Sequence, residues 1–535
     1  MMNPTTPQYV EARQLKRWIH DGAELALLDV REHGQYGEDH LFFATPLPYS
    51  GLELAVLRLV PRKATRVVVY GDEATEGAVR SSADALLRLG YSNVHILRGG
   101  IEAWKAAGHA TFAGVNLPSK TFGELAEHAY KTPSVSASEL YGMLNDGSSK
   151  VVVLDGRPIP EYRKMNIPGS YCCPNGELAL RAQELAPDPD TTIVVNCAGR
   201  TRSIIGAQTL IHLDVPNKVY ALENGTQGWF LEDLPLEHGS SRLYPDHVAE
   251  SAQAGLRERA ARLASRFKIG AVDAGQVREW LRDDARTVFL CDVRTEEEFN
   301  AGGLPSLVQH APGGQLIQAT DQYLGVRGAR VVLCDLDGIR APVVASWLKQ
   351  LGWDVCLLKN PEALGELPQA PSYAPDLGHT TILSADHLAE YVRSHPQALV
   401  LDARPSSQYR ALSLRDSAWV IRPALATHVD DAASGPVLIL GAGLAALSLL
   451  ARDLEEAGCR SVALCVVDAA GLKASGLPLV ADGDRLPDSA CIDYLFFVHD
   501  RHDGNKEAAR KYLEWETNLV AQLDEQERNT FSIGI

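Results

Sequence analysis

The sequence predicts an α/β protein in which one unit, a small parallel sheet flanked by helices, occurs four times along the chain. Two recurring signatures and the alternation of apolar strand patterns with helical patterns lead to this prediction. The copies lie more than a hundred residues apart. That distance indicates repeated domains and excludes a solenoid of short units.

The first signature marks the end of an early strand in each unit. An apolar run is followed by Asp, one further residue and Arg, and an aromatic residue stands five positions after the Arg. The pairs are Asp29 and Arg31, Asp155 and Arg157, Asp292 and Arg294, and Asp402 and Arg404, with the aromatic residues Tyr36, Tyr162, Phe299 and Tyr409. In the second unit we expect Asp155 and Arg157 to brace the turn and to support a site beside it.

The second signature follows some 40 residues later, where an apolar strand runs into a loop and then a helix. These strands are predicted at 66–70, 193–196, 330–334 and 436–440. The helices that follow are predicted to end near Gly90, Asp214, Gly352 and Gly458, three of which are the glycine typical of a helix C-terminus. A further short strand is predicted after each helix, at 94–97, 218–222, 354–358 and 461–465.

Composition shifts between the units give the domain boundaries. An Ala-rich, charged stretch at 250–266 predicts a connecting helix, and 368–375 is a Pro-rich joint. The predicted domains are 1–115, 133–240, 269–370 and 376–482, followed by a C-terminal tail at 483–535. The tail contains a helical pattern with Tyr512, Trp515, Leu519 and Leu523 on one face, which we expect to dock on a neighbouring domain.

The bulk composition restricts the classes of function that the protein can have. Hydrophobic content is 45% and the formal charge is −17, which favours a soluble protein and disfavours nucleic acid or membrane as partners. No apolar run is long enough to span a bilayer, and the N-terminal residues lack a signal-peptide pattern. The nine cysteines are odd in number and lack zinc-ligand spacing. We therefore expect a cytoplasmic protein with reduced thiols, without a metal or a cofactor.

The second unit alone carries a cysteine in the position directly after its second-signature strand. Cys197 opens the loop Cys197-Ala-Gly-Arg-Thr-Arg202, and a helical pattern begins at Ser203. In the corresponding positions the third unit has Asp335 and Arg340, and the fourth has Gly441 and Ala446. The first unit has an expanded acidic loop at 71–79, no cysteine, and Arg80 at the expected start of its helix.

A cysteine at the C-terminal end of a parallel strand lies where α/β sheets place ligands. Loop N–H groups and the N-terminus of the following helix both favour a thiolate at that position. We therefore predict that Cys197, Arg202 and Arg200 form a catalytic group. The residues expected to contact the substrate are Ala198, Gly199, Thr201 and Ser203.

These residues resemble the rhodanese family. Besides the Asp-x-Arg turn, Ile167-Pro-Gly-Ser170 is similar to the family's Ile-Pro-Gly-Ala. The family's closing Gly-Gly-x-x-x-Trp is present from Gly99 to Trp104 and, with Asn in place of the first Gly, from Asn224 to Trp229. The third and fourth units lack this last element. The resemblance nevertheless extends over nearly the whole chain and implies four tandem rhodanese-like domains.

The resemblance implies a sulfurtransferase. The Cys197 thiolate would take the sulfane sulfur of thiosulfate or a similar small donor, and cyanide or a thiol acceptor would collect it from the persulfide in a ping-pong sequence. Members that prefer mercaptopyruvate carry a neutral loop, so the two arginines favour a doubly charged donor. Arg200 would orient its sulfonate, and Arg202 would order the loop. The first unit is expected to pack against the second and to cover one wall of the site.

Two other functions remain as alternatives. Tyrosine phosphatases resemble this arrangement but have five residues between Cys and Arg, where this chain has four, so phosphatase or arsenate-reductase chemistry is the weaker alternative. A sulfur-relay or binding scaffold would use the same Cys197 and deliver its persulfide to a protein partner. The two share the nucleophile and differ in the acceptor.

Three further patterns favour ordinary structural roles. The glycine-rich stretch from Gly441 to Ala446 resembles a dinucleotide fingerprint, but a degenerate rhodanese loop is favoured because no acidic strand end follows it at the required distance. The polar stretch from His499 to Asp503 is expected to be solvated and not to hold a metal. Cys172 and Cys173 could act as resolving thiols for the persulfide, although core packing is the favoured interpretation.

Overall fold

The computed structural model describes residues 6–374, 377, 380–433, 435–496 and 505–534. This part of the chain contains four five-stranded sheets with one topology, in which the repeat's first strand lies at an edge beside its last. All strand pairs within these four sheets are parallel. The α/β class predicted from the sequence is confirmed.

The chain divides into two compact units. One comprises Met1–Lys16, Ala26–Gly114 and Pro371–Phe496, and the other comprises Arg17–Leu25, Val115–Ala370 and Phe497–Ile535. The first and fourth sheets belong to the former unit, and the second and third sheets belong to the latter. Among the described residues, no helix combines the length and apolar character needed to cross a membrane.

The first sheet has the strand order β1-β5-β4-β2-β3. Its strands are β1 (Gln8–Val10), β2 (Ala26–Asp29), β3 (Thr45–Pro46), β4 (Val67–Tyr70) and β5 (Val94–Leu97). Its helices are α1 (Ala12–Ile19), α2 (His33–Glu38), α3 (Leu52–Leu59), α4 (Glu76–Arg88) and α5 (Gly100–Ala106), and α6 (Leu117–Tyr130) leads to the next repeat. Helix α4 begins at Glu76, so the expectation that this helix starts at Arg80 was wrong by one turn.

The second sheet has the order β6-β10-β9-β7-β8. Its strands are β6 (Ser134–Val135), β7 (Val151–Asp155), β8 (Tyr171–Cys172), β9 (Thr192–Asn196) and β10 (Val219–Leu222). Its helices are α7 (Ala137–Asn145), α8 (Ile159–Lys164), α9 (Leu178–Leu185), α10 (Thr201–His212) and α11 (Gly225–Leu231), and α12 (Glu250–Arg266) is the predicted connecting helix. The central strand β9 is buried from Ile193 to Asn196, which explains the continuous apolar run at 193–195.

The third sheet has the order β11-β15-β14-β12-β13. Its strands are β11 (Gly270–Val272), β12 (Val288–Asp292), β13 (Gln309–His310), β14 (Arg330–Cys334) and β15 (Asp354–Leu358). Its helices are α13 (Ala274–Arg282), α14 (Glu296–Asn300), α15 (Gly313–Gln318) and α16 (Arg340–Gln350).

The fourth sheet has the order β16-β21-β20-β17-β19. Its strands are β16 (Thr381–Leu383), β17 (Leu399–Asp402), β19 (Ser417–Trp419), β20 (Val437–Gly441) and β21 (Val462–Val466), and a separate antiparallel pair joins β18 (Ser413–Leu414) to β22 (Leu479–Val480). Its helices are α17 (Leu388–Ser394), α18 (Ser406–Ala411), α19 (Val429–Ala433), α20 (Leu444–Glu456) and α21 (Ala469–Ala474). The described part of the tail adds α22 (Lys506–Thr517), α23 (Leu519–Gln522) and α24 (Glu525–Arg528).

Short 3₁₀ helices complete the described secondary structure. They span Tyr49–Gly51, Glu73–Thr75, Thr320–Gln322, Pro361–Leu364, Ala385–His387, Arg422–His428, Gly483–Arg485 and Asp488–Ala490. The predicted C-terminal ends of α4, α10, α16 and α20 are confirmed by backbone geometry. Gly90, Asp214, Gly352 and Gly458 lie two residues beyond these helices with φ of 89°, 52°, 92° and 101°, the left-handed conformation that closes a helix.

The Asp-x-Arg pairs form the same buried brace in all four repeats. In the second repeat, Arg157 Nε and Nη2 donate to Asp155 at 2.9 and 2.7 Å, and Arg157 also donates to the carbonyl of Met165 at 2.7 Å. The corresponding Arg and Asp side chains of the other three repeats make equivalent pairs. Three of these repeats have no cysteine at the position of Cys197. The Asp–Arg pair is therefore part of the common fold of the repeat and is not specific to the repeat with the cysteine.

Candidate active site

Cys197 is the first residue after β9, and α10 begins four residues later at Thr201. Its side chain is 2% exposed and lies on the wall of a cavity of about 490 Å³. The hydroxyl of the fully buried Ser203, in the first turn of α10, donates a hydrogen bond of 3.1 Å to Cys197 Sγ. A hydroxyl donor and a helix N-terminus both stabilise negative charge on the sulfur.

The loop that carries Cys197 is fixed from behind by the start of α11. Thr226 donates to the Cys197 carbonyl from its backbone N–H at 2.7 Å and from its hydroxyl at 3.0 Å, and Gln227 N–H donates to the Ala198 carbonyl at 3.0 Å. Gly225 has φ of 52°, and a Cβ there would lie 2.3 Å from the Cys197 carbonyl oxygen. Only glycine therefore permits this approach.

Arg200 lies on the cavity wall, but its guanidinium is held by α6. Its Nε and Nη2 donate to the carboxylate of Glu124 at 2.8 and 3.0 Å, and Nη2 also pairs with Glu127. Burial acts to lower the pKa of Arg200, and the carboxylates of Glu124 and Glu127 more than offset it, so that this pKa lies above its ordinary value. Two carboxylates thus neutralise this arginine before any anion enters.

Arg202 makes a bidentate pair of its own. Its Nη1 and Nη2 donate to the carboxylate of Glu161 in α8 at 2.9 and 2.8 Å. Burial again acts to lower the pKa, and the Glu161 carboxylate outweighs it, which raises the pKa of Arg202 above its usual range. The carbonyl of Arg202 accepts from Asn175 Nδ2 at 2.9 Å. Both arginines lie in the loop at the positions that the sequence gives. Each guanidinium is already paired with at least one carboxylate of the protein.

The tail helix α22 covers one side of the loop. Glu516 Oε1 accepts from the Thr201 hydroxyl at 3.0 Å and pairs with Lys120 Nζ at 3.0 Å. Glu516 is 1% exposed and Lys120 is 7% exposed as side chains, and Lys120 also donates to the Tyr512 hydroxyl. A Cβ on Gly199 would lie 2.8 Å from Glu516 Oε2, which shows how closely the helix approaches the loop.

The cavity is assembled from five segments of one compact unit. The loop after β9 supplies its floor, α8 and the start of α6 supply two sides, and the remainder comes from the third repeat and the tail. The third repeat contributes Gln315, Gln318, Ala319 and Gln322, and the tail contributes Tyr512 and Glu516. The expected wall from the first repeat is not found among the described lining residues, the earliest of which is Val115. The third repeat takes that place.

The other predicted site residues occupy distinct positions. Ala198, Gly199 and Thr201 line the cavity, whereas Ser203 contacts the sulfur from beneath and is not among the lining residues. Asp155 is fully buried, and its carboxylate accepts a hydrogen bond of 2.9 Å from Asn196 Nδ2. This bond fixes the end of β9 directly before Cys197.

The third repeat shows what an anion does in this type of loop. The carboxylate of Asp335, which stands at the position of Cys197, accepts N–H groups from Gly338 at 2.9 Å, Ile339 at 3.1 Å and Ala341 at 2.7 Å. The oxygens of an aspartate lie two bonds beyond Cβ, as does the outer sulfur of a cysteine persulfide. The loop therefore has the N–H groups to enclose a negatively charged atom at that distance.

The loops of the first and fourth repeats are closed in other ways. In the fourth repeat, a Cβ on Gly441 would lie 2.5 Å from the side chain of Leu447, which fills the space that the cysteine takes in the second repeat. In the first repeat, the segment at 71–79 contains a 3₁₀ turn and the first turn of α4, and Arg80 pairs on the surface with Glu76 at 2.6 Å.

Cys172 and Cys173 are completely buried and do not line the cavity. Burial raises the pKa of Cys172 to about 12 and that of Cys173 well above its usual range, and Cys173 packs in the core of the second sheet. Both are therefore poor nucleophiles in the folded protein. No group of three or more His, Cys, Asp or Glu in the described ranges could hold a metal. The stretch from His499 to Asp503 lies outside the described residues.

Sequence reasoning missed the partners that come from far along the chain. Glu516 stands four residues after Tyr512 on the helix, in register with the apolar stripe predicted to dock. A charged residue on a docking face is a signal that could have marked it, because a buried charge requires a partner. Similarly, Lys120, Glu124 and Glu127 share one face of α6. The residues Gln315, Gln318 and Gln322 carried no local signal.

The fold and the site together define a rhodanese-like α/β protein with a cysteine at a strand end. The family model described as "Rhodanese-like domain" matches residues 11–107 and 136–232. The crystal structure of thiosulfate sulfurtransferase from Pseudomonas aeruginosa is 37% identical and superposes with a TM-score of 0.89, covering 98% of this chain and 99% of that one. The chain therefore belongs to the rhodanese family.

Two curated relatives match only in part. An HTH-type transcriptional regulator of Mycobacterium tuberculosis is 34% identical over 93 residues, 17% of this chain. A protein of Bacillus subtilis that is provisionally named a sulfur carrier is 31% identical over 123 residues, 21% of this chain. The matched segments span 40% and 62% of the lengths of these two relatives.

Proposed function

We propose that this protein is a thiosulfate-type sulfurtransferase whose single working site in the described structure is Cys197. The observation that carries the proposal is the placement of its Sγ: at the end of β9, beside the N-terminus of α10, 3.1 Å from the Ser203 hydroxyl and on a cavity wall. The likeness to a sulfurtransferase over the full chain supports it.

In the first half-reaction, the Cys197 thiolate attacks the outer sulfur of thiosulfate. A bond forms between the two sulfurs, the bond to the sulfonate sulfur breaks, and sulfite leaves with the electron pair. The persulfide that results places its outer sulfur where the Asp335 carboxylate lies in the third repeat. The backbone N–H groups of Arg200, Thr201 and Ser203 correspond to those that Asp335 uses, so we assign them to this sulfur.

The arginines take supporting roles in this proposal. Arg202 anchors the loop to Glu161, and Arg200 anchors it to Glu124 and Glu127. A positive charge that is already neutralised by carboxylates attracts a dianion only weakly. Arg200 therefore contributes more by ordering the loop than by binding the sulfonate directly. Ala198, Gly199 and Thr201 shape the contact with the substrate, and Asp155 and Arg157 support the turn.

We further propose that the third and fourth repeats are divergent rhodanese-like domains without sulfur chemistry. They share strand order and the Asp-Arg brace with the two repeats that the family model matches. Their loops contain Asp335 and Gly441 where the second repeat has Cys197.

The test is intact-mass measurement after treatment with thiosulfate. We expect a gain of one sulfur atom on the peptide that contains Cys197, and release of that sulfur as thiocyanate when cyanide is added. Cys197→Ser should take up no sulfur. Wild-type protein that gains no sulfur would refute the proposal. The same preparation should not hydrolyse an aryl phosphate, which separates this activity from the phosphatase alternative.

A further inference from the structure

Three buried side chains connect the Asp–Arg pair of the second repeat to the backbone of Cys197. Asn196 Nδ2 donates to the Asp155 carboxylate at 2.9 Å and to the Thr226 hydroxyl oxygen at 3.0 Å. The Thr226 hydroxyl in turn donates to the Cys197 carbonyl at 3.0 Å. Asp155, Asn196 and Thr226 are each 0% exposed. We call these bonds the Asn196–Thr226 chain.

The chemistry of the groups fixes the direction of each hydrogen bond in this chain. The Asp155 carboxylate pairs with Arg157 and only accepts hydrogen bonds, so the amide nitrogen of Asn196 must face it. The same nitrogen donates its second hydrogen to Thr226, which leaves the single hydroxyl hydrogen of Thr226 for the Cys197 carbonyl. Asn196 Oδ1 is buried and accepts no hydrogen bond from the described residues. The amide keeps this orientation although one of its acceptors stays unsatisfied.

The asparagine of this chain occurs only in the repeat that carries the cysteine. In each sheet one residue lies opposite the Asp of the Asp-x-Arg pair on the neighbouring strand, and these residues are Tyr70, Asn196, Cys334 and Leu440. Among these four side chains, only the asparagine can donate two hydrogen bonds from one nitrogen. The connection from the Asp to the loop is therefore an addition to the common fold.

The first repeat shows which part of the Thr226 anchor belongs to the common fold. Ile101 is the second residue of α5, as Thr226 is the second residue of α11. Ile101 N–H donates to the Gly71 carbonyl at 3.0 Å, as Thr226 N–H donates to the Cys197 carbonyl at 2.7 Å. The backbone bond is thus present without a nucleophile, and the hydroxyl bond is added beside Cys197. An apolar β-branched side chain fits this position, so the fold tolerates loss of the hydroxyl.

Two hydrogen bonds on one carbonyl fix the peptide between Cys197 and Ala198. A trans peptide holds its C=O and N–H in opposite directions, so the Ala198 N–H points away from Thr226. Rotation of this peptide would change the backbone angle next to the cysteine side chain. It would thereby displace the sulfur relative to the Ser203 hydroxyl, which now lies 3.1 Å away.

We propose that Asn196 and Thr226 are positioning residues for sulfur transfer, which hold the Cys197 carbonyl in place through one continuous chain of hydrogen bonds. Both act through the backbone of the cysteine. The inference rests on the proposed function, since it concerns the attack of the Cys197 thiolate on the outer sulfur of thiosulfate. In that step the new sulfur–sulfur bond forms, the bond to the sulfonate sulfur breaks, and sulfite leaves with the electron pair.

The test measures persulfide formation by intact mass in a single turnover with thiosulfate. We expect Thr226→Val, which removes the hydroxyl and keeps the shape, to lower the rate at saturating thiosulfate about 3- to 10-fold, the effect of losing one hydrogen bond. The half-saturating concentration should stay unchanged, because the substrate does not contact this hydroxyl in the proposal. Thr226→Ser restores the hydroxyl and should recover the rate to within about twofold of wild type. Asn196→Leu, which introduces the side chain that Leu440 has in the fourth repeat, should lower the rate about as much as Thr226→Val.

A double variant distinguishes one chain from two independent contacts. If Asn196 acts through Thr226, the combination of Asn196→Leu with Thr226→Val should be no slower than the slower single variant, since coupled residues are not additive. Effects that multiply in the double variant would overturn the inference. So would a wild-type rate for Thr226→Val, or a Thr226→Ser protein as slow as Thr226→Val.

Thr209→Val is the matched control. Thr209 is a buried threonine of α10 whose hydroxyl donates to the Ile205 carbonyl at 2.7 Å and accepts from Trp347 Nε1 at 2.8 Å. Thr209→Val should lower the melting temperature and keep the wild-type rate of persulfide formation. An equal loss of rate in Thr209→Val and Thr226→Val would indicate a general effect of stability and overturn the inference. Wild-type protein that forms no persulfide would instead refute the proposed function.

Discussion

The buried pair between Glu516 and Lys120 allows a quantitative test of the link between the tail helix and the cysteine loop. Replacement of Glu516 by Ala leaves the Lys120 ammonium, 7% exposed, without its carboxylate. Removal of one partner of a buried ion pair costs about 3–5 kcal/mol, and the Thr201 hydroxyl loses an acceptor worth about 1 kcal/mol.

Lys120 keeps some of its stabilisation in that variant. Its ammonium still donates to the Tyr512 hydroxyl and lies 5.0 Å and 5.6 Å from the ring centroids of Tyr512 and Trp515. Cation–π contacts of this kind return about 1–2 kcal/mol. We therefore expect Glu516→Ala to lower the free energy of unfolding by about 3 kcal/mol, measured by urea unfolding followed by tryptophan fluorescence.

A double variant distinguishes stability from positioning. Lys120→Met combined with Glu516→Leu removes both charges and keeps the volume, so the free energy of unfolding should return to within about 1 kcal/mol of wild type. Thr201 still lacks its acceptor in this variant, and we expect the rate of persulfide formation to stay at least several-fold below wild type. Recovery of that rate together with stability would show that Glu516 does not position the loop.

The exposed Glu514, on the same helix, is the matched control. Glu514→Ala should change neither stability nor rate, because an exposed charge contributes little to either. If Glu516→Ala unfolds within about 0.5 kcal/mol of wild type, the estimate from the buried pair is wrong.

Three further predictions follow from the geometry. Gly225→Ala should abolish most sulfur uptake because its Cβ would displace the Cys197 carbonyl, whereas Gly239→Ala, with φ of 70° and no atom within 4 Å, carries the same backbone strain and should keep wild-type uptake. Iodoacetamide at neutral pH should label Cys197 before Cys172, as peptide mapping would show, since burial raises the pKa of Cys172 to about 12; preferential labelling of Cys172 would contradict the assignment. Burial lowers the pKa of His212 to about 4 against about 6.5 in the unfolded chain, so its contribution to stability is present above pH 6.5 and lost as the pH falls towards 4. Urea unfolding should show about 2 kcal/mol less stability from this residue at pH 5 than at pH 7, and His212→Phe should lose that difference; an equal acid sensitivity in both proteins would refute it.

The sequence was sufficient for features whose cause is local. Helix α12 has the predicted bounds, and strand β9 begins one residue before its predicted start, because an amphipathic helix and a continuous apolar run are both encoded by neighbouring residues. The ends of α4, α10, α16 and α20 were predictable since a left-handed residue closes each helix. The start of α4 was not, because the helix extends into a loop whose acidic residues also suit a first turn.

The same distinction between local and distant causes decides which parts of the site could be predicted. Cys197 and its loop could be located by comparing the repeats, since spacing fixes which residue follows the strand. The partners of that loop could not, because Arg200 meets Glu124 some 76 residues upstream and Thr201 meets Glu516 some 315 residues downstream. Such contacts depend on how whole domains pack, and no local period carries that information.

The carboxylate that fills the third repeat's own loop has a consequence for turnover. In the proposed reaction, the Cys197 loop would alternate between a free thiolate and a persulfide in every cycle. Asp335 is part of the chain and never leaves, so the loop around it has one state throughout. The third repeat thus holds a permanently occupied copy of the loop, whereas the Cys197 loop would bind and release a sulfur atom in the proposed reaction.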